Sequence, residues 1–266
     1  MTPEYIDRSR IKFEMRETVR TAQVNPKLMT ALYLGICGAL NMADVFAGGN
    51  GILGIFVSVM VTLVTVVLGA GYTMYAMAIV RGERAEYLSL FDGFSLAGKI
   101  ILLYIVKTAL VAMWSMLFMF PGIVASYRYR FAEMNLYENP DLSAFEAINL
   151  SKRQTMGYKK QLFLLDLSFF GWSALAIAPL LLENTLWSVQ FTAAQFGMAL
   201  EMPLFTLLVE NYAIWVGVSS LWQMVVSMFY LPHYHTCVVG YYEAAKSTSQ
   251  LDPCQFRRFD ETPDGL

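Results

Sequence analysis

Three ionisable side chains stand inside apolar stretches that otherwise exclude charge: Lys107, Arg130 and Asp166, with Arg128 one position removed from Arg130. Counted from Lys99, Tyr137 and Lys160, each lies roughly 9 to 12 Å along a helix at ~1.5 Å per residue. They therefore share a depth. A lone Lys, Arg or Asp at the centre of a lipid-spanning helix costs about 2.5 to 3.5 kcal/mol on insertion scales. Bringing such groups to one level predicts mutual pairing or a hydrated cavity, and Asp166 is expected to pair with Lys107, Arg130 or Arg128. Two chemistries fit these residues. One is an ion-pair clamp between helices, with Arg snorkelling toward the nearer surface. The other is a polar cavity in the inner half of the membrane that takes an anionic head group or a proton-coupled solute.

His233, His235 and Cys237 alternate beside Pro232 and resemble metal ligands at first sight. On a helix only His233 and Cys237 share a face, and no carboxylate or further His stands nearby to complete a shell. No metal site is assigned, and Tyr234, Tyr241 and Tyr242 read as an interfacial aromatic belt. The sequence contains no zinc-protease His-Glu pair, nucleophile elbow or Walker motif, and two histidines leave few acid-base options. No catalytic residue and no cofactor is expected, and the chain reads as non-enzymatic. Cys37, Cys237 and Cys254 form no disulfide framework.

The elements that must hold these groups are written in charge. Eighteen of the nineteen Lys and Arg fall in four blocks, Arg8 to Lys27, Arg81 to Lys99, Arg128 to Lys160 and Lys246 to Arg258, and Lys107 is the exception. A chain of 266 residues that is 56% hydrophobic and 15% charged has too little polar surface for a soluble globule of its size. Its net charge of −2, with cations at the ends of apolar runs, argues against nucleic-acid binding. The fold class is all-α, a polytopic transmembrane bundle of about six spans with amphipathic interfacial helices. Residues 1–246 form one membrane domain and 247–266 a polar cytoplasmic tail.

Candidate spans are 28–46, 52–80, 100–120, 123–137, 161–182 and 212–242, most of them near the ~20 residues that cross ~30 Å of hydrocarbon. Pro121-Gly122 is expected to stop the third and reverse the chain. The fourth is short and carries Arg128, Arg130 and Glu133, yet without it Lys152, Arg153, Lys159 and Lys160 would lie opposite the other basic blocks. The sixth is expected to bend at Pro232. The 183–203 stretch, with Trp187, Phe191 and Phe196, should rest on the outer interface. Both termini are then expected on the cytoplasmic side of the membrane.

Amphipathic segments precede three of the spans. In residues 1–24, Ile11, Met15, Val19 and Ala22 recur at helical spacing opposite Arg10, Glu14, Glu17 and Arg20. Arg81 to Lys99 is interrupted by Phe91-Asp92-Gly93-Phe94, whose Asp-Gly marks a turn. Ser143 and Glu146 form a capping-box pattern and Gly157 a terminator, which predicts a helix over 144–156.

Several stretches taken together resemble the domain of unknown function (DUF) 975 family of bacterial integral membrane proteins. They are Gly71-Tyr72 leading to Arg81-Gly82-Glu83, Leu90 to Phe94, Pro121-Gly122-Ile123, Ser151-Lys152, Met156-Gly157 and Phe163 to Trp172. The resemblance covers residues 70 to 175, and a later Pro-Tyr element is present only loosely as Pro232-His233-Tyr234. It implies a multispan inner-membrane protein and transfers no catalytic residue. The expected function is handling or transport of a lipid, amphiphile or small solute, with membrane lipids as partners. The alternative is an accessory or scaffolding subunit bound to another membrane protein.

Overall fold

The computed structural model describes residues 7–47, 51–198 and 202–250. Every regular element among them is helical: α1 Arg8–Thr21, α2 Pro26–Ala47, α3 Ile52–Arg81, a 3₁₀ segment Tyr87–Leu96, α4 Ala97–Leu117, α5 Met119–Arg128, α6 Ala132–Glu138, α7 Ala144–Gln154, α8 Lys159–Ala176, α9 Ala178–Gln195, α10 Pro203–Glu210 and α11 Tyr212–Gln250. Four helices are long and apolar enough to cross a membrane, and α8 with α9, bent by 67°, make a fifth if counted as one broken span. This makes the chain an all-α membrane protein. Two compact units divide the chain, one drawn from Met1–Gln23, Val66–Leu167 and His233–Leu266, the other from Val24–Thr65 and Ser168–Pro232.

In the first unit, α4 is the post on which the rest is hung. Its last turn closes at Phe118, whose extended backbone (φ −160°, ψ 151°) reverses the chain, and α5 packs back along α4. Close approach is possible because residue 122 is glycine: a Cβ there would collide with the Ser115 side chain. The reversal therefore falls three residues before the expected Pro121-Gly122 stop. Pro121 instead lies in the first turn of α5, where a missing N–H costs nothing. Helices α6 and α7 also pack on α4. Ala125, Tyr129, Ala132, Leu136, Ala147 and Ile148 are buried with Ile100 and Leu103 in one core. The Lys99 ammonium at the start of α4 donates to the Pro140 carbonyl just past α6. Residues 119–140 have thus travelled back to the level at which α4 begins.

The expected helix over 123–137 is not one helix. It breaks at Tyr129–Phe131 into α5 and α6, of 10 and 7 residues, neither of span length. Helix α7 holds the broken ends. The Ser151 hydroxyl donates to the Arg128 carbonyl at 2.8 Å and accepts from the Phe131 amide at 3.1 Å, so backbone groups freed by the break keep partners. The Asn135 and Gln154 amides exchange two hydrogen bonds, of 2.8 and 2.9 Å, and tie α6 to α7 again. As predicted, α7 begins with a capping box of Ser143 and Glu146. Past its end Gly157 adopts φ +85°, a left-handed turn that glycine enters without steric cost.

The Arg81 to Lys99 segment is more ordered than its Asp-Gly turn suggested, since Tyr87–Leu96 forms a ten-residue 3₁₀ run. Gly71 on α3 and Gly93 in that run make close contact possible: a Cβ on the first would strike the Leu90 carbonyl, and on the second the Val67 carbonyl. Contact at backbone distance matters in a lipid-facing protein, where apolar burial alone does not drive helices together. Helix α1 is seated on α11, with the Ile11 and Met15 side chains beside Gly240.

The second unit is more apolar. Gly38 of α2 lies 3.6 Å from the Ser220 side chain of α11, and Asp44 accepts a 2.7 Å hydrogen bond from Ser58. Indole N–H groups supply cross-links: Trp222 to the Leu175 carbonyl at 2.8 Å and Trp215 to Glu183 at 3.2 Å. The 161–182 span stops early, because α8 ends at Ala176 and the chain turns into α9. The 183–203 stretch is therefore largely helix, and the Trp187 ring meets Phe205 of α10 edge-on at 4.9 Å. Helix α11 runs through Pro232 without interruption and reaches Gln250, past the expected start of the tail. Residues 251–266, with Cys254, and residues 48–50 between α2 and α3 lie outside the described residues.

Candidate functional site: the polar groups of the first unit

Asp166 projects from α8 into the first unit, where the break between α5 and α6 delivers Arg130 to it. The pair is bidentate, Nη1 to Oδ2 at 2.8 Å and Nη2 to Oδ1 at 3.2 Å, the geometry in which a planar guanidinium matches a carboxylate. Two tyrosines complete the shell. The Tyr127 hydroxyl donates to Oδ2 at 2.8 Å and the Tyr234 hydroxyl to Oδ1 at 2.9 Å. Arg130 also donates to the Tyr234 hydroxyl, and its guanidinium lies 5.6 and 5.7 Å from the two tyrosine ring centres. Each carboxylate oxygen thus accepts two hydrogen bonds. Of the three partners considered for Asp166, the structure joins it to Arg130.

Arg128 goes elsewhere. It is the last residue of α5, ahead of the break that carries Arg130, and its guanidinium makes no hydrogen bond or ion pair among the described residues. Its neighbours are cations, for its charge acts on both the Lys152 and the Lys159 ammonium groups. Burial first, and the Arg128 charge second, push the Lys152 ammonium below its ordinary range. Lys107 is likewise outside the Asp166 shell. Glu133 and Arg130 are the charges that act on its side chain, but no carboxylate reaches ion-pair distance of it among the described residues. Glu133 instead accepts from the Tyr137 hydroxyl at 3.1 Å.

A second ionic network closes the end of the unit where α3, α6 and α11 finish. Glu138 receives Arg81, Lys246 at 2.8 Å and the Tyr242 hydroxyl at 2.7 Å, while Arg81 also holds Glu243 at 2.8 Å. Burial by itself would raise the Glu138 carboxyl. The hydrogen bonds from Lys246, Tyr242 and Arg81, with the Arg81 charge, outweigh it and hold the group below the usual carboxylate range.

The tyrosines read as an aromatic belt occupy the interior instead. Tyr241 and Tyr242 are fully buried, and Tyr234 belongs to the Asp166 shell. Sequence reasoning missed Tyr127, which a hydroxyl one turn from Arg130 would have signalled, and it placed Tyr234 in the belt, with no local signal for its contact to Asp166. The Cys237 thiol lies 3.8 Å from His233 Nδ1 on the shared face. The His235 ring points away from both and meets Tyr72 edge-on at 4.9 Å. Among the described residues no three His, Cys, Asp or Glu side chains group as metal ligands.

The family model described as "Protein of unknown function (DUF975)" matches residues 120–249. The matched stretch contains every member of the Asp166 shell and reaches through the Pro232-His233-Tyr234 and Tyr241-Tyr242-Glu243 segments. Gly71-Tyr72 and the Leu90 to Phe94 run precede it. No curated protein and no solved structure matches the chain.

Proposed function

We propose, from the premise that this chain belongs to the DUF975 family, that it is a non-enzymatic multispan protein of a bacterial cytoplasmic membrane that handles an anionic amphiphile or small solute. The observation that carries this reading is Lys107. It is a partly buried ammonium on a span-length helix, without a carboxylate at ion-pair distance among the described residues. Such a group is costly in lipid unless water or an anion reaches it. Glu133 and Arg130 flank it, and groups of both signs around one position suit a polar cavity in the inner half of the membrane. Purification from native membrane followed by mass spectrometry tests the reading. A retained lipid or solute, depleted in Lys107→Met, is the expected result. A wild-type protein that carries nothing beyond bulk lipid composition sinks it.

The topology proposed with it has six passes and both termini in the cytoplasm. Helices α2, α3, α4, α8 with α9, and α11 supply five, and α5 with α6 supply the return. Support comes from the Lys99 to Pro140 link and the Arg81 to Glu138 pair, which set the far end of α6 beside the end of α3 and the start of α4. All four basic blocks then share one side. Helix α1 and the 3₁₀ segment serve as the amphipathic interfacial elements. In intact cells, Asp92→Cys and Glu146→Cys should resist an impermeant thiol reagent while Gly49→Cys reacts. Labelling at position 146 from outside refutes the return pass.

A second reading, a scaffolding subunit for another membrane protein, draws support from the saturated Asp166 shell. A carboxylate with four donors needs no ligand and suits a rigid brace. Copurification of a stoichiometric protein partner in place of lipid would favour it.

A further inference from the structure

Arg128, Lys152 and Lys159 come from α5, α7 and α8, yet local geometry brings them together. The Arg128 carbonyl accepts from Ser151 at 2.8 Å and from Thr155 at 3.4 Å, which fixes the end of α5 across the last turn of α7. Lys152, between those two residues, lies with its ammonium 5.7 Å from the centre of the buried Tyr129 ring and donates to Asn149 at 3.0 Å. The left-handed turn at Gly157 then starts α8, with Lys159 as its first residue. None of the three cations makes an ion pair among the described residues. Helix α8 also starts here with amides that have no partner within the helix, a favourable end for negative charge.

Three cations held together without a carboxylate repel one another, and the arrangement relaxes when an anion is shared among them. A flexible surface would let long side chains spread apart. Here the Arg128 backbone is fixed against α7, and the Lys152 ammonium is held by Asn149 and by the ring beneath it, so Lys152 cannot swing away freely. A guanidinium and two ammonium groups complement a tetrahedral oxyanion better than a carboxylate, since the guanidinium takes two oxygens and each ammonium another.

We infer that Arg128, Lys152 and Lys159 form a binding site for a phosphate group, carried on a lipid head group or free in solution. The site is separate from the Asp166 shell, whose Arg130 is already paired with a carboxylate. It rests on the reading of the chain as a handler of anionic amphiphiles and supplies the point at which the anionic end is held.

The test uses the full chain in a neutral detergent, titrated with dihexanoyl phosphatidylglycerol or dihexanoyl phosphatidylcholine and read by native mass spectrometry. Inorganic phosphate is the competitor. Each cation removed should weaken phosphatidylglycerol binding about fivefold, and R128Q, K152Q and K159Q together on the order of a hundredfold. Phosphatidylcholine binding should be equal in both proteins. Competition by inorganic phosphate assigns the site to free phosphate, and its failure to compete assigns it to the lipid head group. Should the triple variant not fold, K159Q alone, which leaves every hydrogen bond named above intact, is expected to show the fivefold loss, and K159R to restore binding.

Unchanged phosphatidylglycerol affinity in these variants overturns the site. If that affinity then falls in Lys107→Met, the functional reading stands and only the phosphate site is lost. If the wild-type protein binds neither phosphatidylglycerol nor phosphate, both are lost.

Discussion

Arg128 and Arg130 sit two residues apart at the same helix break and live in opposite electrostatic surroundings. Arg130 meets a carboxylate braced by two phenols. Arg128 acts on two ammonium groups and has no counterion among the described residues. Arg130 is committed to a carboxylate of the chain, while the Arg128 guanidinium has no hydrogen bond or ion pair among the described residues. The lesson is that charge in an apolar sequence is not one class of feature. What a guanidinium does depends on which face of the helix break it leaves from, and that is decided by the packing of α7.

The sharpest way to break this contrast is to remove the counterion. Asp166→Ala should cost about 3 to 5 kcal/mol, because it leaves Arg130 uncompensated in a site of low polarity. Thermal unfolding in detergent measures it. Replacing both partners in Arg130→Met with Asp166→Leu should cost less than Asp166→Ala alone, and a double variant as damaged as the single one would argue against the clamp.

Next in size is the staple. Ser151→Ala strands the Phe131 amide and removes a donor from the Arg128 carbonyl, an expected loss of about 1 to 3 kcal/mol. If stability is unchanged, the break does not depend on α7.

The Glu138 network gives a smaller effect with a defined pH window. Its carboxyl is held below the ordinary range, so its contribution is present above the usual carboxyl value of about 4.3. That contribution is lost as pH falls through the lower, folded-state value. Glu138→Gln should therefore be less stable than wild type by about 1 kcal/mol at neutral pH, discounted for partial solvent exposure. Below that window the two melting curves should converge, and a gap that persists into acid would contradict the assignment.

The smallest effect belongs to Arg128. Arg128→Gln should change stability by less than about 0.5 kcal/mol, and in the stabilising direction, since it relieves the charge facing Lys152. A large loss of stability would place Arg128 in the same class as Arg130 and dissolve the comparison.

Much of this was written locally in the sequence, and the part that was not has a common cause. Helix α7 could be read from Ser143, Glu146 and Gly157 because capping chemistry is local. The long spans could be read from uninterrupted apolar runs. The break at Tyr129–Phe131 could not, for it contains no glycine or proline and is held by a hydroxyl twenty residues away. Pro121-Gly122 misled in a similar manner: proline begins a helix as readily as it ends one, and only the fit of Gly122 against Ser115 shows which applies. The Asp166 shell was half legible. Three ionisable groups at one depth announced it, but Tyr234 arrives from a helix remote in sequence. Tyr127 and Arg128 are adjacent on α5, yet only the first reaches Asp166.

The stitch between Lys99 and the Pro140 carbonyl bears on how the chain is made. Neither α5 nor α6 has the length or apolarity to be accepted into a bilayer by itself. With the break between them they carry Arg128, Arg130, Glu133 and Glu138. They fold back along a helix that has already emerged from the ribosome, and the polar link at the base closes the loop between them. Residues 97–140 thus close on themselves, with α4 as the surface on which α5 and α6 pack. A chain truncated before Pro140 lacks the acceptor that completes it.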